Sequence, residues 1–105
     1  MAERRGFARK KRRFLVEFQL RGAHCTGFTY DMSPTGIFVR SIRLPTPGTF
    51  VTADLHLSAG KRIAVRGRVV RSHRVPAELA RIVPSGFSMS LSETPEDYFQ
   101  FFATL

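Results

Sequence analysis

Residues 27–39 have the sequence GFTYDMSPTGIFV, and this stretch decides the fold. Apolar side chains at 28, 30 and 32 alternate with polar ones at 29 and 31, the period-two pattern of a strand with one buried face. Gly36 then opens another strand that runs to Ile42. We expect Ile37 and Val39 to point inward there, or Phe38 if the register slips by one residue.

The same period recurs on both sides of this stretch. Apolar residues alternate with polar ones before it, over 14–20, and after it in three further segments, 51–57, 63–70 and 87–91. Turn-forming residues separate the segments, most clearly Pro47-Gly48. Six short strands spaced roughly every ten residues predict an all-β fold, either a barrel or a sandwich.

The last residues predict a short helix that follows the strands. Thr94 is its expected cap, and Pro95 its expected first residue. The apolar residues after them recur at helical spacing and form one stripe: Tyr98, Phe101, Phe102 and Leu105. A helix this short needs support, so we expect it to pack on the barrel or on a partner. Before the last strand, 75–84 predicts an inserted loop with one helical turn beginning at Pro76.

The positive charge of the chain is concentrated at its start. The 105 residues carry a net charge of +9, and residues 1–13 alone carry seven basic side chains against one acidic one. We therefore divide this single domain into a basic arm, 1–13, and a nearly balanced barrel with its helix, 14–105. Such an arm suits a polyanion, whether a nucleotide, a nucleic acid or an acidic membrane surface.

Cysteine content and hydropathy bear on the compartment. Cys25 is the only cysteine of the chain, so no internal disulfide forms and a reducing compartment is expected. No apolar run is long enough to span a membrane, and none resembles a signal peptide. The expected location is cytoplasmic.

Two short motifs offer complementary groups for a guanine nucleotide. An Arg-x-x-x-Arg motif occurs twice in overlapping form, at Arg5–Arg9 and at Arg9–Arg13. Arginine binds phosphate bidentately, stacks on bases and matches the N7/O6 edge of guanine. The second motif, at 31–36, has the form Asp-x-Ser-x-x-Gly. Its carboxylate can accept hydrogen bonds from the N1 and N2 edge of guanine, and Gly36 permits a left-handed or otherwise tight backbone near a ligand.

The two motifs, in this order, resemble the PilZ family, and the resemblance covers nearly the whole chain, including 67–71 and 86–89. It implies a six-stranded antiparallel β-barrel followed by a short helix, which binds the bacterial second messenger cyclic di-GMP. The ligand-binding residues that it implies are Arg9, Arg13, Asp31, Ser33 and Gly36, with Arg5 and Arg12 as supplementary contacts. The sequence leaves open whether Arg5 and Arg9, or Arg9 and Arg13, make the primary contacts with the ligand.

We expect the arm to be mobile without ligand and to close over the barrel mouth when ligand binds, which changes the surface presented to a protein partner. No metal-ligand spacing links the three histidines, and no catalytic arrangement is present, so we expect neither a metal, a cofactor nor an enzyme. Two alternatives remain: a PilZ-like adaptor that does not bind ligand, and a basic barrel that binds nucleic acid. Against nucleic-acid binding, the sequence has no aromatic residues interleaved with the basic ones, beyond Phe7 and Phe14.

Overall fold

Six antiparallel strands close into a barrel in the computed structural model, which describes residues 9–92 and 94–105. The strands are β1 (Leu15–Leu20), β2 (Ala23–Ser33), β3 (Gly36–Arg40), β4 (Phe50–His56), β5 (Arg62–His73) and β6 (Gly86–Leu91). Around the barrel their order is β1-β2-β3-β6-β5-β4, and β4 pairs with β1 to complete the closure. A helix, α1 (Glu96–Ala103), follows the last strand. The predicted six-stranded antiparallel barrel with a C-terminal helix is confirmed.

The inward side chains fill the barrel as the alternation predicts. Ile37 and Val39 are each 1% exposed, so the register of β3 is the expected one and Phe38 lies outside. Phe18 and Phe87 meet edge to face at the centre, with ring centroids 5.3 Å apart, a favoured geometry for aromatic pairs. The barrel therefore encloses a packed core of aromatic and branched side chains.

The alternation predicted for the first half of β2 is wrong. Thr29 is buried, whereas Phe28 and Tyr30 lie on the outer face, only half-buried. The reason is a β-bulge: Thr29 pairs with Val39 and Asp31 pairs with Phe38, which leaves Tyr30 as an extra residue in the ladder. Beyond the bulge the predicted phase holds again, and Met32 is fully buried.

Helix α1 packs its predicted stripe on the barrel. Tyr98 and Phe102 are buried, while Phe101 and Leu105 pack partly buried against the same core. The predicted cap is wrong, because Pro95 occupies the cap position and the Thr94 hydroxyl group donates instead to the Pro34 carbonyl, at 3.2 Å. In the inserted loop the predicted turn forms at Ala77–Leu79 as a single 3-10 turn.

No helix in the described ranges has both the length and the apolar content that crossing a membrane requires.

Gly67 allows β5 and β6 to approach closely, and its substitution provides a test of the barrel packing. A Cβ atom at this position would lie 2.6 Å from the Ser90 carbonyl oxygen, which the backbone of β6 holds in place. We expect Gly67→Ala to lower the free energy of unfolding by about 1–3 kcal/mol through overpacking. In urea denaturation the neighbouring, exposed Arg68→Ala serves as the control and should change stability by less than about 0.5 kcal/mol. An equally stable Gly67→Ala protein would contradict this packing.

Candidate functional site

The described part of the basic arm lies along β2. Lys10 forms an isolated antiparallel bridge with Met32, in which each backbone N–H donates to the other residue's carbonyl, at 2.8 and 3.0 Å. Residues 1–8, which include the predicted contact Arg5, lie outside the described residues. The expectation that the arm is mobile without ligand also falls largely on these residues. From Arg9 onward the chain is bonded to the barrel.

A second attachment of the arm is made by the side chain of Thr29. Its hydroxyl group accepts a hydrogen bond from the Phe14 N–H, at 2.8 Å, and donates one to the Arg12 carbonyl, at 2.6 Å. The Thr29 backbone N–H also donates to the Phe14 carbonyl, at 2.9 Å. Thr29 is 1% exposed, so these bonds are shielded from water and hold residues 12–14 in one position.

These attachments place Arg9 against the carboxylate of Asp31. The distance from Arg9 Nη2 to Asp31 Oδ1 is 2.5 Å, and that from Nε to the same oxygen is 3.1 Å. The two side chains remain accessible to solvent, at 47% and 22% exposure. The ion pair is therefore open to a ligand from outside, and its net contribution to stability is small for the same reason.

The turn between β2 and β3 places Ser33 and Gly36 beside this ion pair. The Ser33 hydroxyl group donates to the Gly36 carbonyl at 3.4 Å and accepts from the Thr35 N–H at 3.3 Å, which stabilises the turn. Gly36 does not have a left-handed backbone. A Cβ atom there would lie 3.2 Å from the Met89 carbonyl oxygen, a tight contact, and 3.8 Å from Arg9 Nη1, an ordinary van der Waals distance, so the guanidinium group lies directly beside Gly36.

Helix α1 contacts this turn from the inside of the fold. The buried Tyr98 hydroxyl group donates to the Ser33 carbonyl at 2.7 Å. Burial raises the pKa of the Tyr98 phenol above its ordinary range, so the group stays protonated and remains a donor. The bond from Thr94 to Pro34 adds a second link to the same turn. Sequence reasoning missed these two contacts, because the bonded residues are far apart in the chain.

Arg13 does not join the cluster formed by Arg9, Asp31, Ser33 and Gly36. Its guanidinium group stacks on the Phe28 ring, 3.9 Å from the centroid. Arg12 is exposed and donates to the neighbouring Lys11 carbonyl, at 2.9 Å. Of the predicted arginines in the described residues, only Arg9 meets the Asp-x-Ser-x-x-Gly motif.

Next to Arg12 and Arg13 lies a cationic aromatic surface that sequence reasoning missed. Tyr30, the extra residue of the bulge, lies between Lys11 and Arg40, whose charged groups are 5.4 and 5.9 Å from its ring centroid. The surface borders a shallow cleft of about 210 Å³. The alternation predicted Tyr30 inward, and only the bulge turns its ring to the outer face.

A second cluster that the sequence did not reveal lies on the outer face of β1, β2 and β4. Glu17 forms hydrogen-bonded pairs with His56, at 2.7 Å, and with His24, at 3.2 Å. The hydrogen bond with His56 is the main reason why the pKa of Glu17 lies below its ordinary value, and burial opposes this effect. Within 9–92 and 94–105, no group of three or more potential ligands has the geometry to hold a metal ion.

Comparisons with known proteins agree with this fold. The PilZ domain family model matches residues 3–100. The Bacillus subtilis inhibitor of motility, MotI/DgrA, superposes with a TM-score of 0.75 at 19% identity, over 96% of this chain and 48% of that one. The PilZ domain of YcgR from Escherichia coli, in a structure with c-di-GMP, superposes with a TM-score of 0.73 at 12% identity, over 95% of this chain and 86% of that one. This chain thus spans about half the length of MotI/DgrA. Curated proteins gave no significant match.

The bond between Tyr98 and the Ser33 carbonyl can be tested by Tyr98→Phe. This change removes the hydroxyl group and leaves a buried acceptor without its donor, so we expect the free energy of unfolding to fall by about 1–3 kcal/mol. Urea denaturation measures the effect. Tyr30→Phe is the matched control and should be nearly neutral, because Tyr30 is only half-buried on the outer face. Equal stabilities of the two variants would contradict a structural role for the Tyr98 hydroxyl group.

Proposed function

The chain belongs to the PilZ domain family, and we propose that it is a receptor for cyclic di-GMP that signals to a protein partner through a change of its surface. The observation that carries the proposal is the exposed Arg9–Asp31 pair, set over Ser33 and Gly36. The YcgR PilZ domain, which has the same fold, was solved with c-di-GMP, and this supports the choice of ligand. PilZ domains are receptor and adaptor domains, so we propose no catalytic activity.

The groups in the cluster match the chemistry of a guanine nucleotide. Asp31 uses one carboxylate oxygen for both of its bonds with Arg9. A carboxylate offers about four acceptor sites, so Asp31 can also accept from the N1 and N2 edge of guanine while it keeps Arg9. The Arg9 guanidinium group then has donors left for a phosphate or for the N7/O6 edge. The existing ion pair thus holds both side chains ready for the ligand, which lowers the entropy cost of binding.

We infer that Arg9 is the primary arginine of the site. It belongs to both overlapping Arg-x-x-x-Arg motifs, and it lies on Asp31. Arg13, stacked on Phe28, is placed to act on a second part of the ligand or to shield it from solvent. These observations favour Arg5 and Arg9 as the pair that makes the primary contacts with the ligand, with Arg12 and Arg13 as supplementary contacts.

The output of the receptor is proposed to pass through helix α1. The arm contacts the end of this helix, because Lys10 Nζ donates to the Leu105 carbonyl at 2.7 Å and lies 5.3 Å from the Phe102 ring centroid. Phe14 packs edge to face on Phe101, with centroids 5.3 Å apart. A ligand that repositions the arm therefore changes the support of the helix.

The lone cysteine, Cys25, is buried and free, in keeping with a cytoplasmic site of action.

A second candidate function is the binding of single-stranded nucleic acid. On the outer surface, Arg13 stacks on Phe28, Lys11 lies over Tyr30, and Arg66 lies 4.8 Å from the Phe50 ring centroid. Cations paired with aromatic rings are typical of surfaces on which bases stack. The fold thus places aromatic rings beside basic side chains, although the two kinds of residue are not interleaved in the sequence. Such binding would be diffuse and steeply dependent on salt.

The cyclic di-GMP site can be tested with Arg9→Ala and Asp31→Ala, measured by isothermal titration calorimetry. Each change removes a polar group that we assign to the ligand, so we expect affinity to fall at least tenfold, about 1.4 kcal/mol. Thermal stability should change by less than about 0.5 kcal/mol for Arg9→Ala, because the ion pair is exposed. Arg13→Ala, measured in parallel, should cost less affinity than Arg9→Ala.

Arg68→Ala is the control for this test, since Arg68 is equally charged but lies exposed on β5. It should leave the affinity for cyclic di-GMP unchanged. If Arg68→Ala costs as much as Arg9→Ala, binding is diffuse electrostatic attraction and the specific site is wrong. If an oligothymidylate binds as tightly as cyclic di-GMP and both lose affinity steeply with salt, nucleic acid becomes the preferred function.

A further inference from the structure

A groove between the outer face of β2–β3 and the loop before β6 includes none of Arg9, Asp31, Ser33 and Gly36, and it shares only Arg13 with the residues assigned to the nucleotide. It has a volume of about 430 Å³. The side chains that define it are Arg13 and Phe28 on one wall, Arg40 and Ile42 on the next, and Ala80 and Ser85 on the loop. We call this the loop groove.

Large aliphatic side chains are exposed at the loop groove and in the loop that forms its wall. Ile42 is 77% exposed and Ile82 is 76% exposed, and Leu79 and Val83 are also exposed. Side chains of this size usually contribute to a core, since burying one is worth about 1.5–3 kcal/mol. Ile42 lines the groove, and the other three belong to the loop whose Ala80 and Ser85 line it. Exposed apolar side chains around one groove of a small domain are typical of an interaction surface.

The loop is anchored at its base, so these side chains have defined positions. The Ser85 carbonyl accepts from the Ser41 N–H at 3.2 Å, and the Ser85 hydroxyl group accepts from the Val75 N–H at 2.8 Å. Val75 itself is 9% exposed. At the tip, the N–H groups of Ile82 and Val83 both donate to the Leu79 carbonyl at 2.9 Å. An ordered surface costs little entropy when a partner binds to it.

The charge around the loop groove is positive. Arg13 and Arg40 line it, and no acidic residue is among the described residues that do so. Arg74 lies at its edge, with Nη2 3.4 Å from the Ile42 carbonyl. In residues 74–85 there are two arginines and one acidic residue, Glu78. Charge complementarity therefore selects an acidic partner.

Two other occupants fit less well. A second copy of the chain would bring together two molecules of net charge +9, which repel each other. A nucleic acid would find one aromatic ring in this groove, Phe28, with Arg13 already stacked on it, whereas the most exposed side chains of the groove and its loop are Ile, Leu and Val. Aliphatic side chains between arginines instead suit an acidic polypeptide that inserts an apolar residue.

We propose that the loop groove binds an acidic protein segment, with an apolar anchor residue seated between Ile42 and the loop and its carboxylates facing Arg13 and Arg40. This inference does not require cyclic di-GMP to bind. Because Arg13 lies in both the basic arm and the groove wall, the groove also borders the proposed nucleotide site, so a ligand that moves the arm changes the groove.

The test uses the full ¹⁵N-labelled chain and a short synthetic peptide of Glu and Asp with a central Leu-Leu pair. We expect this peptide to shift the amide signals of Ile42, Ala80 and Ser85. Three matched probes should bind at least about tenfold more weakly, about 1.4 kcal/mol: the peptide with Lys in place of its acids, the peptide with Ser in place of Leu, and an oligothymidylate of equal charge. The variants Ile42→Asp, Ile82→Asp and Arg40→Glu should each lower the affinity for the acidic peptide by a similar factor. All three positions are exposed, so these variants are expected to fold.

Phe50→Asp is the matched control, since Phe50 is 53% exposed on β4, across the barrel from β3. It should leave peptide affinity unchanged. Arg9→Ala should also retain the peptide while it loses cyclic di-GMP, which separates the two proposals. The groove proposal is overturned if the groove signals do not move, if the Lys peptide or the oligonucleotide binds as well, or if the chain dimerises in ultracentrifugation with groove signals that depend on its own concentration.

Discussion

The hydroxyl group of Thr29 is bonded to the backbone at Arg12 and at Phe14, and the course of the arm along the barrel starts from that attachment. In a regular ladder the chain before β1 would be held by strand pairing alone. Here a buried side chain accepts from Phe14 and donates to Arg12, so the arm is held at the edge of the barrel. The bridge from Lys10 to Met32 continues the attachment along β2. Arg9 reaches Asp31 because both contacts fix the chain that leads to it.

The turn at 33–36 is contacted from two directions. Arg9 approaches it from the solvent side, where it lies directly beside Gly36. Tyr98 and Thr94 bond its backbone carbonyls from the side of the helix. Each such bond is worth only about 1 kcal/mol net, which is enough to hold a turn and small enough for a ligand to compete with. The site, the arm and the helix therefore form one coupled unit.

Much of this arrangement could be predicted from the sequence, and the parts that could not have a common physical reason. Period-two alternation fixed the inward faces of β3 to β6, as Ile37 and Val39 show, and the helical stripe placed Tyr98 inside. The two motifs singled out Arg9 and Asp31, each as a ligand-binding residue, and the fold brings the two side chains together. These signals are local, since they depend on neighbours within one segment.

The contacts that were missed depend on register between distant segments. The cap role predicted for Thr94 was wrong because Pro95 occupies the cap position of α1, and the Thr94 hydroxyl group donates to the Pro34 carbonyl, 60 residues earlier in the chain. The Glu17 cluster required the pairing of three strands to be known. The two overlapping motifs have their arginines at the same spacing, so only the fold separates Arg9, on Asp31, from Arg13, on Phe28.

The bulge at Tyr30 has a consequence for how chains of this kind vary in evolution. Within the part of β2 that pairs with β3, from Phe28 to Ser33, Tyr30 is the one residue without a partner, and the ladder on either side of it is regular. Loss of that single codon would join Thr29 directly to Asp31 and keep the arm attachment on the inner face and the carboxylate on the outer face. Deletion of either neighbour would instead remove one of those two functions. Homologous chains can therefore differ by one residue at this point with both functions intact, and an alignment gap in β2 belongs at Tyr30.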